Sequence, residues 1–134
     1  MTSAARRLAV HFEEAVWQEA IRGFSREPLQ IAMSARRIAE RHGIALADVH
    51  PCEAIGPDGT QLVGCAKLYL PLGDGPPSER PMAFVLRLAR APDQTVAWIF
   101  VAYGHRHPGP GVRSAYERAH RQLHGRFPVR SGSE

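Results

Sequence analysis

The sequence predicts an α+β fold with two N-terminal helices, an antiparallel meander of about four strands and one C-terminal helix. Three observations support this prediction. Apolar residues recur at helical spacing over 4–24 and 29–39. Strand-like runs bounded by glycine and proline then lie over 51–104, and helical spacing returns over 112–124.

The first helix is predicted over residues 4–24. Its core-facing stripe falls at four-residue steps and comprises Leu8, Phe12, Val16, Ala20 and Phe24. Trp17 and Ile21 widen this apolar face. The face is therefore a candidate surface for forming a homodimer or for binding a protein partner.

The second helix is predicted to begin after Ser25, a favourable N-cap, with Pro28 in its first turn and Gly43 at its end. The stretch "ARRIAERHGIALADV", 35–49, resembles the first half of a helix-turn-helix. Together with the later "GPDG" it also resembles the peripheral subunit-binding domain of 2-oxo acid dehydrogenase complexes. Pro51 leaves a second helix only about five residues, too few to read a DNA major groove. A helix end followed by entry into a strand is the preferred interpretation.

The middle of the chain is predicted to form a hairpin followed by two longer strands. The segments "PCEAI" and "TQLVGCAKLYL" flank turn residues at 56–59. The polar, proline-rich segment 72–81 is predicted to be a flexible connection. Apolar residues alternate in "MAFVLRLAR", 82–90, whereas "TVAWIFVAYG", 95–104, is apolar on both faces. The latter pattern indicates a central strand covered by a helix.

A last helix is predicted over 112–124, after the break at "HPGPG". The stripe expected to dock on the sheet comprises Val112, Tyr116, Ala119 and Leu123. A chain of 134 residues suits one domain, which we expect to span 1–124. A flexible tail is expected over 125–134.

Composition predicts a cytoplasmic protein with no membrane partner. No apolar run approaches the roughly 20 residues needed to cross a bilayer. Acidic residues at Glu13, Glu14 and Glu19 interrupt the region where a signal peptide has its apolar segment. Cys52 and Cys65 are too few for a disulfide scaffold, so we expect buried or half-buried thiols.

The net charge is concentrated at the C-terminal end. Residues 1–103 carry 11 basic and 11 acidic residues, whereas 104–134 carry six arginines against two glutamates and account for the whole net charge of +4. Because arginine suits bidentate recognition of phosphate, this segregation indicates a polyanion-binding segment, most simply for nucleic acid. A phosphate is expected at the start of the last helix, over 112–114. The candidate anion-binding residues are Arg106, Arg113, Arg118, Arg121 and Arg126.

Histidine and arginine together also suit metal-independent RNA cleavage, which needs a base, an acid and cations. The candidate catalytic residues are His105, His107 and His120. The predicted order of elements resembles the layout of small bacterial ribonucleases and RelE-like toxins, and this resemblance, of topology alone, implies RNA cleavage. Binding without catalysis is the leading hypothesis. A non-catalytic interaction module of the immunity or antitoxin kind is the alternative.

The last helix also contains one arrangement with metal-ligand spacing. Glu117, His120 and His124 form E-x-x-H-x-x-x-H, in which histidines four residues apart can reach one ion. Arg118 and Arg121 lie between them and oppose a cation, so we expect no metal. The chain contains no P-loop, no G-x-S-x-G and no dinucleotide fingerprint, so no cofactor is expected.

Overall fold

The computed structural model of the protein describes residues 6–70 and 81–129. The connection predicted over 72–81 lies outside these residues except for Pro81, as does the end of the predicted tail from residue 130. Within the described ranges, no helix is long and apolar enough to cross a membrane.

The N-terminal segment contains two short strands before its helix, so the single helix predicted over 4–24 is wrong in its first half. β1 spans Arg7–Leu8, β2 spans Val10–His11, and α1 spans Glu14–Ile21. Side chains alternate between the two faces along a strand, so every second residue of this segment can face the core without a helix.

The apolar face of α1 packs inside the chain. Trp17 and Ala20 are buried, and Ile21 and Phe24 pack against the same core. The face expected to pair two chains or bind a protein partner is therefore already covered by the protein's own core.

The second helix, α2, spans Arg26–His42, close to its predicted bounds. Gly43 ends it with φ at 68°, a conformation that favours glycine, and its N–H donates to the Ala39 carbonyl. A two-residue strand, β3 (Ile44–Ala45), follows directly, then a 3₁₀ turn over Leu46–Asp48. This confirms a helix end followed by strand entry and gives no second helix at the helix-turn-helix position.

The α+β class is confirmed, but the sheet is mixed rather than a simple antiparallel meander. Its five strands lie in the order β2-β7-β6-β5-β4, where β4 is His50–Pro51, β5 is Cys65–Leu70, β6 is Met82–Arg90 and β7 is Val96–His105. The neighbours from β4 to β7 are antiparallel, and β2 adds to β7 in parallel. A separate ladder pairs β1 with β3. The predicted hairpin turn is closed by a single bridge between Ile55 and Gln61.

The interior strand β7 has a hydrophobic core on each face. Phe100 and Tyr103 belong to the core beneath α1 and α2, whereas Val101 and Ala102 belong to the core beneath the last helix. A β-bulge in the β6–β7 ladder places one additional residue, Val101, between Phe100 and Ala102. This shift lets Phe100 and Tyr103 both face the aromatic core.

The last helix, α3, spans Ala115–His124 and begins with a capping box between Ser114 and Glu117. Of the stripe predicted to dock on the sheet, Tyr116, Ala119 and Leu123 pack against the second core. Val112 precedes the helix and is exposed, which corrects its predicted role. The helix therefore starts three residues later than its predicted start at 112.

Gly104 allows α3 to approach β7 closely. A Cβ atom at this position would lie 3.2 Å from the Cα and N atoms of Ala115 and 3.2 Å from Cδ of Arg118. Because backbone atoms must move to make room, we expect Gly104→Ala to lower the free energy of unfolding by about 1–3 kcal/mol in urea denaturation. Gly109→Ala is the matched control, since nothing lies within 4 Å of its Cβ position. Equal losses in the two variants would contradict close packing at Gly104.

Candidate anion-binding groove

Three of the five arginines predicted to bind an anion line one groove between α1 and α3. Arg113, Arg118 and Arg121 contribute to its walls, together with Arg22 at the end of α1. Val101 and Ala102 of β7 also line the groove, whose volume is about 510 Å³. We call this feature the arginine groove. Its size suits a chain of phosphates or a small ligand.

Aromatic rings hold these guanidinium groups in position. The guanidinium carbon of Arg118 lies 4.9 Å from the centre of the Phe24 ring. Those of Arg113 and Arg121 lie 4.2 Å and 5.1 Å from the centre of the Phe127 ring. Cation–π contacts order the arginine side chains before any ligand arrives, which lowers the entropy cost of binding.

The charges of the groove are only partly balanced by carboxylates. Arg22 pairs with Glu19 at 3.4 Å, and Arg113 pairs with Glu117 at 3.1 Å. Within the described residues, Arg118 and Arg121 form no ion pair within 4.0 Å.

Arg118 is the most constrained of these arginines. Its Nε atom is buried and has no hydrogen bond partner in the described part of the chain. Burial lowers the pKa of Arg118, the charge of Arg121 lowers it further, and Glu19 acts in the opposite direction. A buried donor beside a second positive charge is stabilised by an anion placed between them.

The start of α3 is not available for a phosphate in the way the sequence predicted. The Ser114 N–H donates to Oε1 of Glu117 at 3.1 Å, and the Glu117 N–H donates to Oγ of Ser114 at 3.1 Å. The protein's own carboxylate therefore occupies the position expected for a phosphate over 112–114. Arg106 and Arg126 also lie outside the groove: Arg106 lines a different cleft, and Arg126 is exposed beyond the end of α3.

The three histidines proposed for catalysis lie in different surroundings. His105 is half-buried, 6.0 Å from the Phe24 ring centre, and His107 is exposed in the loop after β7. His120 is 2 % exposed, and its Nδ1 atom accepts a hydrogen bond from the Gln61 N–H at 2.9 Å. Burial is the main reason that its pKa is lowered. His120 therefore has a structural role.

The predicted E-x-x-H-x-x-x-H arrangement does not come together as a ligand set. Glu117 is bound to Ser114 and Arg113, and the nitrogen atoms of His120 and His124 that face Gln61 are bound to its backbone. Across residues 6–70 and 81–129, no three histidine, cysteine or acidic side chains are close enough together to hold a metal ion.

Sequence reasoning missed Arg22 and Phe127, which complete the groove around α3. Arg22 follows the end of α1, and Phe127 lies in the segment expected to be a flexible tail. The only available signal was an aromatic residue one position after Arg126 in a polar tail. In comparisons with known proteins, the chain matches no protein-family model, no curated protein and no solved structure.

Proposed function

We propose that this protein binds nucleic acid by placing backbone phosphates along the arginine groove. The observation that carries the proposal is the pair Arg118 and Arg121. These two guanidinium groups lie in one groove without an ion pair among the described residues, and Arg118 has a buried Nε donor without a partner. Phosphate oxygens satisfy both requirements, because they carry negative charge and accept several hydrogen bonds.

The proposal concerns binding and includes no RNA-cleavage step. Among the candidate catalytic residues, His120 is buried and holds the Gln61 backbone, so it does not reach a ribose hydroxyl in this conformation. The remaining basic residues provide electrostatic attraction, which governs affinity for a nucleic acid backbone whatever its sequence.

The test is a fluorescence polarisation titration with labelled single-stranded RNA and duplex DNA at about 50 and 200 mM salt. We expect the wild-type protein to bind at least one probe and to lose affinity steeply as salt rises. Arg118→Gln/Arg121→Gln removes two phosphate contacts, so the slope of log K against log salt is expected to become shallower by about 2.

The control is Arg37→Gln/Arg41→Gln, which makes the same change in net charge at two exposed positions of α2. It is expected to keep the wild-type slope. If Arg118→Gln perturbs the fold, Arg22→Gln/Arg121→Gln tests the same groove at exposed positions. An absence of binding at the lower salt, or equal losses in the groove and α2 variants, would overturn the proposal.

A further inference from the structure

The only lysine of the chain lies in a second cleft, on the other side of α3 from the arginine groove. Lys67 on β5, Arg106 after β7, Tyr116 on α3 and the turn over 52–60 line this cleft. Its volume is about 460 Å³, within the range of sites for small molecules. We call it the lysine cleft. None of its residues belongs to the arginine groove, so its function is independent of the proposed nucleic acid binding.

Strand geometry brings two cations and the ring of Tyr116 into the cleft and places the ring of Tyr69 beside these cations. Lys67 and Tyr69 are two residues apart on β5 and so point to the same face of the sheet. The Lys67 Nζ atom lies 5.4 Å from the centre of the Tyr116 ring and 5.9 Å from that of Tyr69. The guanidinium carbon of Arg106 lies 3.9 Å from the Tyr69 ring centre, and His50 stacks on the same ring at 4.8 Å.

The ammonium group of Lys67 has neither a hydrogen bond nor an ion pair within the described residues. Two of the three carboxylates that line the cleft are engaged elsewhere, and the third, Glu53, is exposed and forms no ion pair with Lys67 within 4.0 Å. Asp58 accepts hydrogen bonds from the N–H and the hydroxyl of Thr60, and Glu117 is bound to Ser114 and Arg113. A half-buried cation that forms no ion pair among the described residues is suited to receive an anion from a ligand.

We propose that the lysine cleft binds a small organic anion, whose carboxylate or phosphate group lies between Lys67 and Arg106. The Tyr116 hydroxyl donates to the same group, and the Tyr116 ring contacts the rest of the ligand, while the Tyr69 ring holds the Arg106 guanidinium in position. Burial raises the pKa of Tyr116, and this rise outweighs the opposing effects of its hydrogen bond with Arg106 and of the charges of Lys67 and Arg106. The hydroxyl therefore stays protonated and can donate at neutral pH.

The cleft is a binding site and not a thiol-based active site. Cys52 lines it, and burial together with Cys65 raises the pKa of the Cys52 thiol to about 11. The charge of Lys67 acts in the opposite direction but does not reverse this rise. The thiol therefore stays protonated at neutral pH, and a protonated thiol is a poor nucleophile.

The single lysine permits a direct test. Reductive methylation with ¹³C-formaldehyde labels Lys67 and the α-amino group, which gives two distinguishable NMR signals and keeps the lysine cationic. We expect the Lys67 signal to shift and saturate when inorganic phosphate or citrate is added to about 10 mM, a range that reports millimolar dissociation constants. Sodium chloride at matched ionic strength is the control. The anion that saturates at lower concentration distinguishes a phosphate ligand from a carboxylate ligand.

Three variants decide whether the shift reports this cleft. Arg106→Gln and Tyr116→Phe are each expected to weaken binding at least about fivefold, the effect of losing one hydrogen bond to a charged group. Tyr116→Phe removes only a hydroxyl, so it keeps the test valid if Arg106→Gln fails to fold. Arg41→Gln on α2 should leave the titration unchanged. A shift that does not saturate, equals that of chloride, or survives both cleft variants would overturn the proposal without affecting the arginine groove.

Discussion

Replacing Trp17 with alanine is expected to lower the free energy of unfolding by about 3–5 kcal/mol, a large part of the stability of a domain this size. Trp17 is 4 % exposed and lies at the centre of the core between the sheet and the helices α1 and α2. Its ring centre lies 5.5 Å from that of Phe12, 5.3 Å from that of Phe100 and 6.1 Å from that of Phe84. Alanine leaves a cavity and removes these aromatic contacts, so the midpoint of urea denaturation should move to a lower urea concentration.

Two comparisons make this result specific to the packing of α1. Trp17→Phe keeps an aromatic ring in the cluster and should recover much of the loss, while Leu88→Ala at a 46 % exposed position should cost under about 1 kcal/mol. If the α1 face paired two chains instead, Trp17→Ala would change the molecular mass in solution and barely affect monomer stability. That outcome would contradict the burial of Trp17 against its own sheet.

The incorrect prediction of a helix in the first half of residues 4–24 shows how two periodicities can be present in one segment. Leu8, Val10 and Phe12 all pack against the aromatic core, so the side chains alternate along a strand. Leu8 and Phe12 are also four residues apart, which matched the helical stripe continued by Val16. The parallel pairing of β2 with β7 depends on a partner almost 90 residues away, and local periodicity carries no information about that partner.

The later elements were more predictable because their signals are local. Gly43 ends α2, and the run that is apolar on both faces became the strand β7 with a core on each side. Capping at Ser114 set the true start of α3, a signal that the sequence contained as serine followed three residues later by glutamate. This capping box also explains why the start of the helix does not hold a phosphate.

The candidate sites were predictable only in part, because each joins segments distant in sequence. Helical spacing placed Arg113, Arg118 and Arg121 on or next to one helix, and the structure brings them together in one groove. Arg22 joins them because α1 and α3 both pack against β7 and line one groove with it. Lys67 is the only lysine of the chain, but its position beside Arg106 requires the register of the whole sheet. Composition therefore showed where in the sequence the positive charge is concentrated. The fold then places the basic side chains in two separate clefts.

His120→Ala is expected to lower the free energy of unfolding by about 2–4 kcal/mol, because it leaves the Gln61 N–H without its acceptor and opens a small cavity. Two histidines of α3 bind the backbone of Gln61, just after the turn over 56–60. His120 Nδ1 accepts from the Gln61 N–H, and His124 Nε2 donates to the Gln61 carbonyl at 3.0 Å. Asparagine can present an oxygen near the position of Nδ1, so His120→Asn should retain more stability than His120→Ala. Denaturant midpoints at pH 7 test this order.

The same hydrogen bond gives the protein a pH-dependent stability. Burial lowers the pKa of His120 from 6.5, the charges of His124 and Arg126 lower it further, and Asp58 opposes them. The unfolded chain therefore binds a proton at this residue before the folded protein does, so stability is complete above pH 6.5 and falls as the pH drops below it. Protonation of Nδ1 also turns the acceptor into a donor that faces the Gln61 N–H.

Denaturation of the wild type and His120→Asn between about pH 5 and 8 isolates this contribution from the other histidines. The wild type should lose stability faster than the variant as the pH falls, because asparagine does not titrate. His124→Asn should keep most of the wild-type pH dependence, since His124 is exposed. Parallel pH profiles for the wild type and His120→Asn would show that His120 is not held as a neutral acceptor. In that case it would again be a candidate for proton transfer, and RNA cleavage would need to be assayed directly.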